Sequence, residues 1–454
     1  MAKLGRNLFR NNNNNKKMSE SREKDEEFVF VYRSTSFDSS YEQILPERWQ
    51  RSVSEDQGTL RTDPLDKETF ESYLDTDGRL VDEHLLREAV FRGGVEKEIR
   101  SEVWKFLFGL YPFQSTRRER ETMKLEYYFK YQALKERWKK VLTLLSPPGS
   151  EDEIDMHKNY MSLQTDRQNC NNVQIDETHK EVLKFQGDIY ANRQPLSNSD
   201  KLMKKYIRII DKDVPRTDRD HPLFAGDQNP NLVLLRDILI TFAVFHPDVT
   251  YAQGMNDILS RFLVVLQDEV EAYWCFTLYL ENVYTDFLES GMTRKLDLLR
   301  DLLTEIDLEL MQHLDSLEVG DLMFCHRWLL LSFKREFKFD DAVYLFEIIS
   351  SHHLELSSLE AERVCQQEIA KDFQRSAGKE RNNCANMNKD FTFELFLSAT
   401  ILKRNRAKLL KCLDAAAVFQ CVSSLTKQME VKVLLIEGEK LLLSYCRKSV
   451  REVL

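Results

Sequence analysis

Two segments of one stretch decide how the rest of the chain is organised. The first is YIRIIDKDVPRTDRDHPLF (residues 206–224), and the second, after a helix-like run, is HPDVTYAQGMNDILS (residues 246–260). Arg216 lies in the first segment and Gln253 in the second. Both are polar residues at positions where a side chain that only builds a core would be apolar. They are therefore the first candidates for a functional site.

The residues beside these two side chains predict how each is held. Pro215 fixes its own φ and biases Val214 toward extended geometry, which predicts a stiff loop carrying Arg216. Gly254 has no side chain, so another surface can approach the backbone beside Gln253 closely. A rigidly held guanidinium and an amide beside a gap are suited to stabilising phosphate charge and positioning a water molecule.

The two segments carry two short motifs, IxxDxxR and YxQG. Their residues are Ile210, Asp213, Arg216, Tyr251, Gln253 and Gly254. Either motif alone is weak because short patterns recur by chance. In this order and at this distance they resemble the two signature motifs of the TBC domain family, whose members are GTPase-activating proteins for Rab-type small GTPases.

The resemblance implies a mechanism in which the chain supplies catalytic residues to a partner. Arg216 would be an arginine finger and Gln253 a glutamine finger, both inserted into the nucleotide site of a GTP-loaded Rab. The chain would then be a GTPase activator rather than an enzyme with its own nucleotide site, and no GxxxxGK[ST] loop occurs in it. It would need no cofactor of its own and would act on the GTP and Mg²⁺ bound by the partner.

Five neighbouring residues are predicted to support the two fingers. Asp213 would orient the arginine or its loop, and Thr217 and Asp218 would anchor the same turn. Tyr251 is interpreted as a packing support. Asp257 lies at the start of an apolar run, so it would either cap that helix or brace the loop of Gln253.

Two other blocks also resemble the family. Arg100 and Trp104 stand four residues apart in a helical pattern, as in the opening helix of a TBC domain; we interpret Arg100 as a buried ion-pair partner and Trp104 as core. The block DLMFCHRWLLLSFKREF (residues 321–337) resembles the subgroup with RWLLxxFKREF, and Arg335 within it is interpreted as an ion-paired packing residue.

Composition favours long helices and limits the possible partners. The chain has 454 residues with only 14 glycines and 10 prolines, so an all-α fold is predicted. A net charge of −10 argues against a nucleic-acid-binding protein of the usual basic kind.

The eight cysteines show no metal-ligand spacing, which predicts reduced thiols and no metal site. No apolar run suits a signal peptide or a membrane span, so we expect a cytoplasmic protein that reaches endomembranes only peripherally, through partners.

The predicted organisation is a multi-helix domain with polar additions. Its regions are a largely disordered N-terminus (1–60), a helical lead-in (61–87), a TBC domain (88–443) with polar insertions near 146–198 and 354–390, and a C-terminal tail (444–454). A short helix is expected inside the first insertion, around residues 181–190. Further helices are predicted at 231–245, 258–266, 270–288, 296–314, 321–336 and 340–350.

Two functions remain open on the sequence. The first is an active Rab GTPase-activating protein that regulates vesicle trafficking. The alternative is a catalytically silent Rab-binding scaffold or effector that uses the same fold. The intact finger residues favour the first.

Overall fold

A computed structural model of the chain describes residues 61–145, 176–196, 200–226, 229–354 and 390–451. These residues lie in one structural unit and form α-helices joined by short turns, with no strand among them. The prediction of an all-α fold is therefore confirmed. The predictions for residues 1–60, and for most of the second insertion, fall outside the described residues.

The helices of the first half surround a core of aromatic and aliphatic side chains. They are α1 (Lys67–Ser72), α2 (Glu83–Gly93), α3 (Arg100–Leu107), α4 (Arg117–Leu145), α5 (Glu177–Arg193), α6 (Asp200–Asp213), α7 (Pro230–Phe245), α8 (Met255–Leu266) and α9 (Glu269–Val283).

The helices of the second half enclose a second core. They are α10 (Glu289–Ile306), α11 (Leu308–Ser316), α12 (His326–Leu330), α13 (Phe339–Ser350), α14 (Phe393–Arg404), α15 (Arg406–Leu409), α16 (Ala415–Ser423) and α17 (Val431–Arg451). Helix α13 belongs to both cores, because Phe346 packs in the first and Leu345 in the second.

Helix α7 spans the distance between the two motif segments and is buried along almost its whole length. Its start is fixed by Asn229, whose side chain accepts from the backbone N–H of Asn231, and by Pro230 in the first turn. Buried Arg236 of α7 donates to buried Asp211 of α6 at 2.6 Å. This ion pair ties the helix that precedes the arginine loop to the helix that leads toward the glutamine loop.

Helix α5 lies inside the segment predicted to be the first insertion, and the short helix expected there is confirmed with wider bounds. It packs against α4 through buried Leu183, Gly187 and Ala191. A Cβ at position 187 would lie 2.7 Å from the carbonyl oxygen of Phe129, so the two helices touch at backbone distance. Helix α5 is therefore a packed part of the fold.

The single helix predicted over 296–314 is two helices, α10 and α11. Asp307 stands between them with φ −156° and ψ 73°, and its side chain accepts from the backbone N–H of Leu310. Asp at this position caps a new helix rather than continuing the old one. The apolar spacing continues across the break, which is why periodicity alone predicted one helix.

The helix predicted over 321–336 is also wrong as a continuous element. A 3₁₀ turn (Met323–Cys325) leads into the short helix α12, and then Ser332 and Phe333 both take left-handed backbone angles, with φ of 45° and 58°. Two consecutive residues in this region end a right-handed helix. The resulting bend turns Lys334 and Arg335 back toward the start of α8.

Candidate functional site

The arginine loop follows α6 without a gap. Residues Val214–Arg216 form a single 3₁₀ turn with Pro215 in its first positions. Val214 was predicted to be extended, and this is wrong: it is helical and only 1% exposed. Burial of Val214 outweighs the steric bias that the following proline imposes, and the turn begins inside the core.

Arg216 projects from this turn into solvent, with 56% of its side chain exposed. Its Nη2 and Nε atoms both donate to Oδ1 of Asp213, at 2.5 and 3.1 Å. The hydrogen bonds and charge of Asp213 raise the pKa of Arg216 above its ordinary value. Asp213 thus holds the guanidinium along one edge, and the remaining N–H donors of the group are left for another partner.

The glutamine loop joins α7 to α8, and Gln253 is exposed at its tip. Gly254 has φ +108°, a region that residues with a side chain rarely adopt. A Cβ there would lie 2.8 Å from Cδ2 of Leu331, just beyond α12. The surface that approaches this glycine is therefore part of the same chain, and it fixes the loop from behind.

One buried carboxylate joins the two loops. Oδ1 of Asp213 accepts from Arg216, and Oδ2 accepts from the phenol of Tyr251 at 2.7 Å. Burial and the neighbouring carboxylate raise the pKa of Tyr251, so the phenol stays protonated and donates. Tyr251 was interpreted as a packing support; it is buried, but its hydroxyl also ties the glutamine loop to the arginine loop.

Asn256 provides a second connection between the loops. Its Oδ1 accepts from the backbone N–H of Gly254 at 3.2 Å and lies 3.2 Å from the Tyr251 hydroxyl, whose single hydrogen is directed mainly to Asp213. Its Nδ2 donates to Oγ1 of Thr217 at 2.9 Å, and that hydroxyl donates to the backbone oxygen of Asp213 at 2.8 Å. A closed ring of buried hydrogen bonds therefore links the residues next to Arg216 to those next to Gln253.

Asp257 does not cap α8. Gly254 occupies the N-cap position, where no side chain makes a capping hydrogen bond. The carboxylate of Asp257 instead accepts from Lys334 at 2.9 Å and from Arg335 at 2.6 Å. Burial raises the pKa of Asp257, but the two cations outweigh it and hold the pKa below the ordinary value. The predicted cap is therefore wrong, and the carboxylate ties the first turn of α8, which directly follows the loop of Gln253, to Lys334 and Arg335.

The ammonium of Lys334 contacts both the arginine loop and the start of α8. It donates to Oδ2 of Asp218 at 2.5 Å, to Asp257 and, at 2.9 Å, to Oγ of Ser260. Its side chain is only 3% exposed. Asp218 stands two residues after Arg216 and has a left-handed φ of 44°.

Arg100 and Trp104 lie in α3, each bonded to buried Glu347 of α13. Nε of Arg100 lies 2.9 Å from Oε2 of Glu347, and the Trp104 indole donates to the same oxygen at 3.0 Å. Trp104 is core, as interpreted, and Arg100 is an ion-pair partner, but its side chain is half-buried rather than buried. Ile210, the remaining motif residue, is a fully buried side chain of α6.

The structure thus brings the predicted site residues together. Asp213, Thr217 and Tyr251 lie within one hydrogen-bonded network beneath exposed Arg216, and Gln253 is exposed on the loop that the same network holds. Sequence reasoning missed Asn256 and Lys334. A polar residue inside the apolar run after YxQG was the available signal for Asn256, and the lysine within FKREF was the signal for Lys334.

Residues 161–365 match the family model for the Rab-GTPase-TBC domain. The chain is 34% identical over 291 residues to TBC1 domain family member 17 of Mus musculus, covering 64% of this chain and 37% of that protein. It is 30% identical over 330 residues to GTPase-activating protein GYP7 of Candida glabrata, covering 70% of this chain and 40% of that protein. The chain therefore spans less than half the length of these relatives.

Among solved structures, the Ypt/Rab-GAP domain of Gyp1p aligns with a TM-score of 0.50 at 18% identity, covering 85% of this chain and 97% of that one. This likeness shows the fold. The helical architecture and the two motif loops define a TBC domain. The sequence matches agree, and the chain contains a Rab-GTPase-TBC domain matched over residues 161–365.

Proposed function

We propose that this chain accelerates GTP hydrolysis on a Rab-family GTPase by inserting Arg216 and Gln253 into the partner's nucleotide site. The observation that supports this most is the pairing of two exposed polar side chains on loops joined by one buried network. A network that only stabilised the fold would not need to end in an exposed guanidinium and an exposed amide. The names of the relatives, which include a GTPase-activating protein, point the same way.

Arg216 would stabilise charge that develops on the γ-phosphate oxygens. Phosphoryl transfer requires positioning and charge neutralisation more than covalent chemistry. The planar guanidinium can contact two oxygens at once, which a lysine ammonium cannot do in the same way. Because Asp213 holds one edge of the group, little rotamer freedom is lost when the other donors meet phosphate.

Gln253 would position the attacking water. Its carbonyl oxygen can accept a hydrogen bond from that water while its NH₂ group donates toward phosphate. A carboxylate has no such donor. The left-handed backbone at Gly254, held against Leu331, fixes the direction in which the amide leaves the loop.

The partner in this proposal is a Rab in its GTP form, and it supplies the nucleotide and Mg²⁺. Ending the GTP state of a Rab would regulate vesicle trafficking at the membrane where that Rab is located. Within the described part of the chain, no helix combines the length and apolarity needed to cross a membrane. Attachment to endomembranes would then be peripheral and would depend on the Rab.

The proposal is tested by measuring single-turnover GTP hydrolysis on a panel of purified Rabs. Arg216→Ala should reduce the stimulated rate by about 10³–10⁵-fold, the usual range for an arginine finger. Arg216→Lys and Gln253→Ala should also lose most of the stimulation while binding to GTP-loaded Rab persists.

Arg294→Ala is a matched control, because Arg294 is also an exposed arginine that is ion-paired with an aspartate, Asp390 at 2.6 Å. It should retain stimulation. Finger variants that stimulate like wild type would refute the assignment of Arg216 and Gln253. A wild-type chain that binds GTP-loaded Rabs without accelerating hydrolysis would instead indicate the silent scaffold.

A further inference from the structure

We propose that Lys334 is a positioning residue that couples the two finger loops. This inference rests on the proposed function and extends it to a residue outside both motifs. Lys334 lies in the segment after α12, more than 70 residues along the chain from either loop, yet its ammonium contacts residues adjacent to both.

The three donors of the ammonium match three acceptors. Asp218 belongs to the arginine loop, whereas Asp257 and Ser260 lie in the first turns of α8, directly after the glutamine loop. An ammonium has three donors and no acceptor, so these bonds use its full capacity. One buried cation therefore fixes the distance between the two loops.

The charges show why a cation is needed at this point. Two carboxylates, Asp218 and Asp257, face each other across a site where Lys334 is 3% exposed. Without the ammonium they would repel each other in a poorly solvated environment. Arg335 pairs with Asp257 from the solvent side, with 43% of its side chain exposed, and among the described residues it has no ion pair with Asp218. It cannot replace the bridge to Asp218.

The backbone conformation around Lys334 indicates that surrounding contacts hold this lysine in place. Ser332 and Phe333 immediately before it, and Asp218 opposite it, all have left-handed angles without being glycine. Such residues persist only where the surroundings fix them. Here the fixing interactions are the packing of Phe333, which is fully buried, and the three bonds of the ammonium.

Lys334 and Asn256 connect the loops through different atoms. Asn256 acts through neutral hydrogen bonds to Thr217 and Gly254, whereas Lys334 acts through charge on Asp218 and Asp257. Loss of Lys334 should therefore leave the loops connected but less well aligned. Misalignment of about 1 Å can reduce a catalysed rate about a hundredfold.

The first test is hydrogen–deuterium exchange on the free chain of 454 residues, which requires no Rab. In Lys334→Met, peptides covering residues 214–220 and 252–260 should both exchange faster than in wild type. In the matched variant Arg335→Met, only the peptide covering 252–260 should change. Faster exchange of only one loop in Lys334→Met, or of neither, would overturn the coupling role.

Asp218→Asn keeps the test decisive if Lys334→Met does not fold. This variant leaves the ammonium bonded to Asp257 and Ser260 and weakens only its hold on the arginine loop. Exchange should then rise in residues 214–220 alone. Unchanged exchange there would refute the bridge.

The second test is single-turnover hydrolysis with the Rab that responds best to wild type. Lys334→Met should lower the maximal rate by about a hundredfold, while the half-saturating concentration changes little. Arg335→Met should remain within about fivefold, as expected for an exposed ion pair. A lower apparent affinity at an unchanged maximal rate would show that Lys334 serves binding instead.

Combining Lys334→Met with Arg216→Ala separates positioning from an independent effect. Residues that act as one unit are strongly non-additive, so the double variant should be scarcely slower than Arg216→Ala alone. If no Rab responds to wild type, the proposed function fails, and the exchange experiment still decides whether Lys334 couples the loops.

Discussion

Replacing Asn256 with aspartate tests the buried network with almost no change of shape. The Thr217 hydroxyl has one hydrogen, which it donates to the backbone oxygen of Asp213, so it can only accept from position 256. A carboxylate in Asn256→Asp cannot donate, and two acceptors would then face each other. Leaving buried groups unpaired in this way costs about 1–3 kcal/mol, and the new charge beside Asp213 adds to it.

The pH dependence of this variant gives the sharper result. The new carboxyl would be buried near Asp213 without a cation of its own, so its folded pKa should be raised above about 3.9, the ordinary value. The protonated form can donate to Thr217, and its stability is fully present below the unfolded pKa. Stability is then lost, at up to about 1.4 kcal/mol per pH unit, as the pH rises toward the folded pKa.

Thermal unfolding of the full chain between pH 5 and pH 8 measures both effects. Asn256→Asp should unfold at a lower temperature than wild type at pH 8 and should approach wild type as the pH falls. The control Asn256→Ala has no titrating group at this position, so its deficit should stay nearly constant with pH. A wild-type midpoint for Asn256→Asp at pH 8, or a deficit that grows on acidification, would refute the reasoning about donors.

Three further predictions concern single positions whose surroundings are unusual. Gly254→Ala should destabilise the chain by about 1–3 kcal/mol in thermal unfolding, because of the positive φ and the contact with Leu331, and adding Leu331→Ala should relieve only the steric part. Arg261→Met should leave stability unchanged or raise it by about 1–4 kcal/mol, because Arg261 is fully buried and, among the described residues, none of its guanidinium nitrogens has a hydrogen-bond partner; a large loss would contradict this. Glu347→Gln should cost about 1–3 kcal/mol, because Arg100 would lose its counter-charge and one buried hydrogen bond would be lost, and unchanged denaturant unfolding would show that the pair contributes nothing.

Sequence patterns predicted the helical fold because apolar residues recur at helical spacing over long segments. They predicted helix ends less well. Asp307 interrupts an apolar pattern that continues across it, and the left-handed angles at Ser332 and Phe333 follow from packing against distant residues. The identity of an aspartate, a serine or a phenylalanine does not by itself indicate a helix break, so the two helices were predicted to be longer than they are.

The sequence was sufficient to predict the site residues that lie within each motif, but not the contacts between the two motif segments. Asp213 and Arg216 are three positions apart, and the geometry of their ion pair follows from the local turn. The contacts that join the loops are long-range: Asn256 meets Thr217 across 39 positions and Lys334 meets Asp218 across 116. Without an indication that these segments meet in space, a buried asparagine or lysine cannot be distinguished from a solvated one.

The two polar connections also explain why the loops are not joined by an apolar core. Apolar packing would stabilise them at least as well, since buried polar groups gain little net free energy even when fully paired. It would not specify one relative placement as strictly, because apolar contacts tolerate sliding whereas hydrogen bonds require matched donors and acceptors. In the arginine loop and the first turn of α8, the carboxylates of Asp213, Asp218 and Asp257 each have a defined donor. A site that must present two side chains to the same few phosphate oxygens needs this kind of placement more than it needs stability.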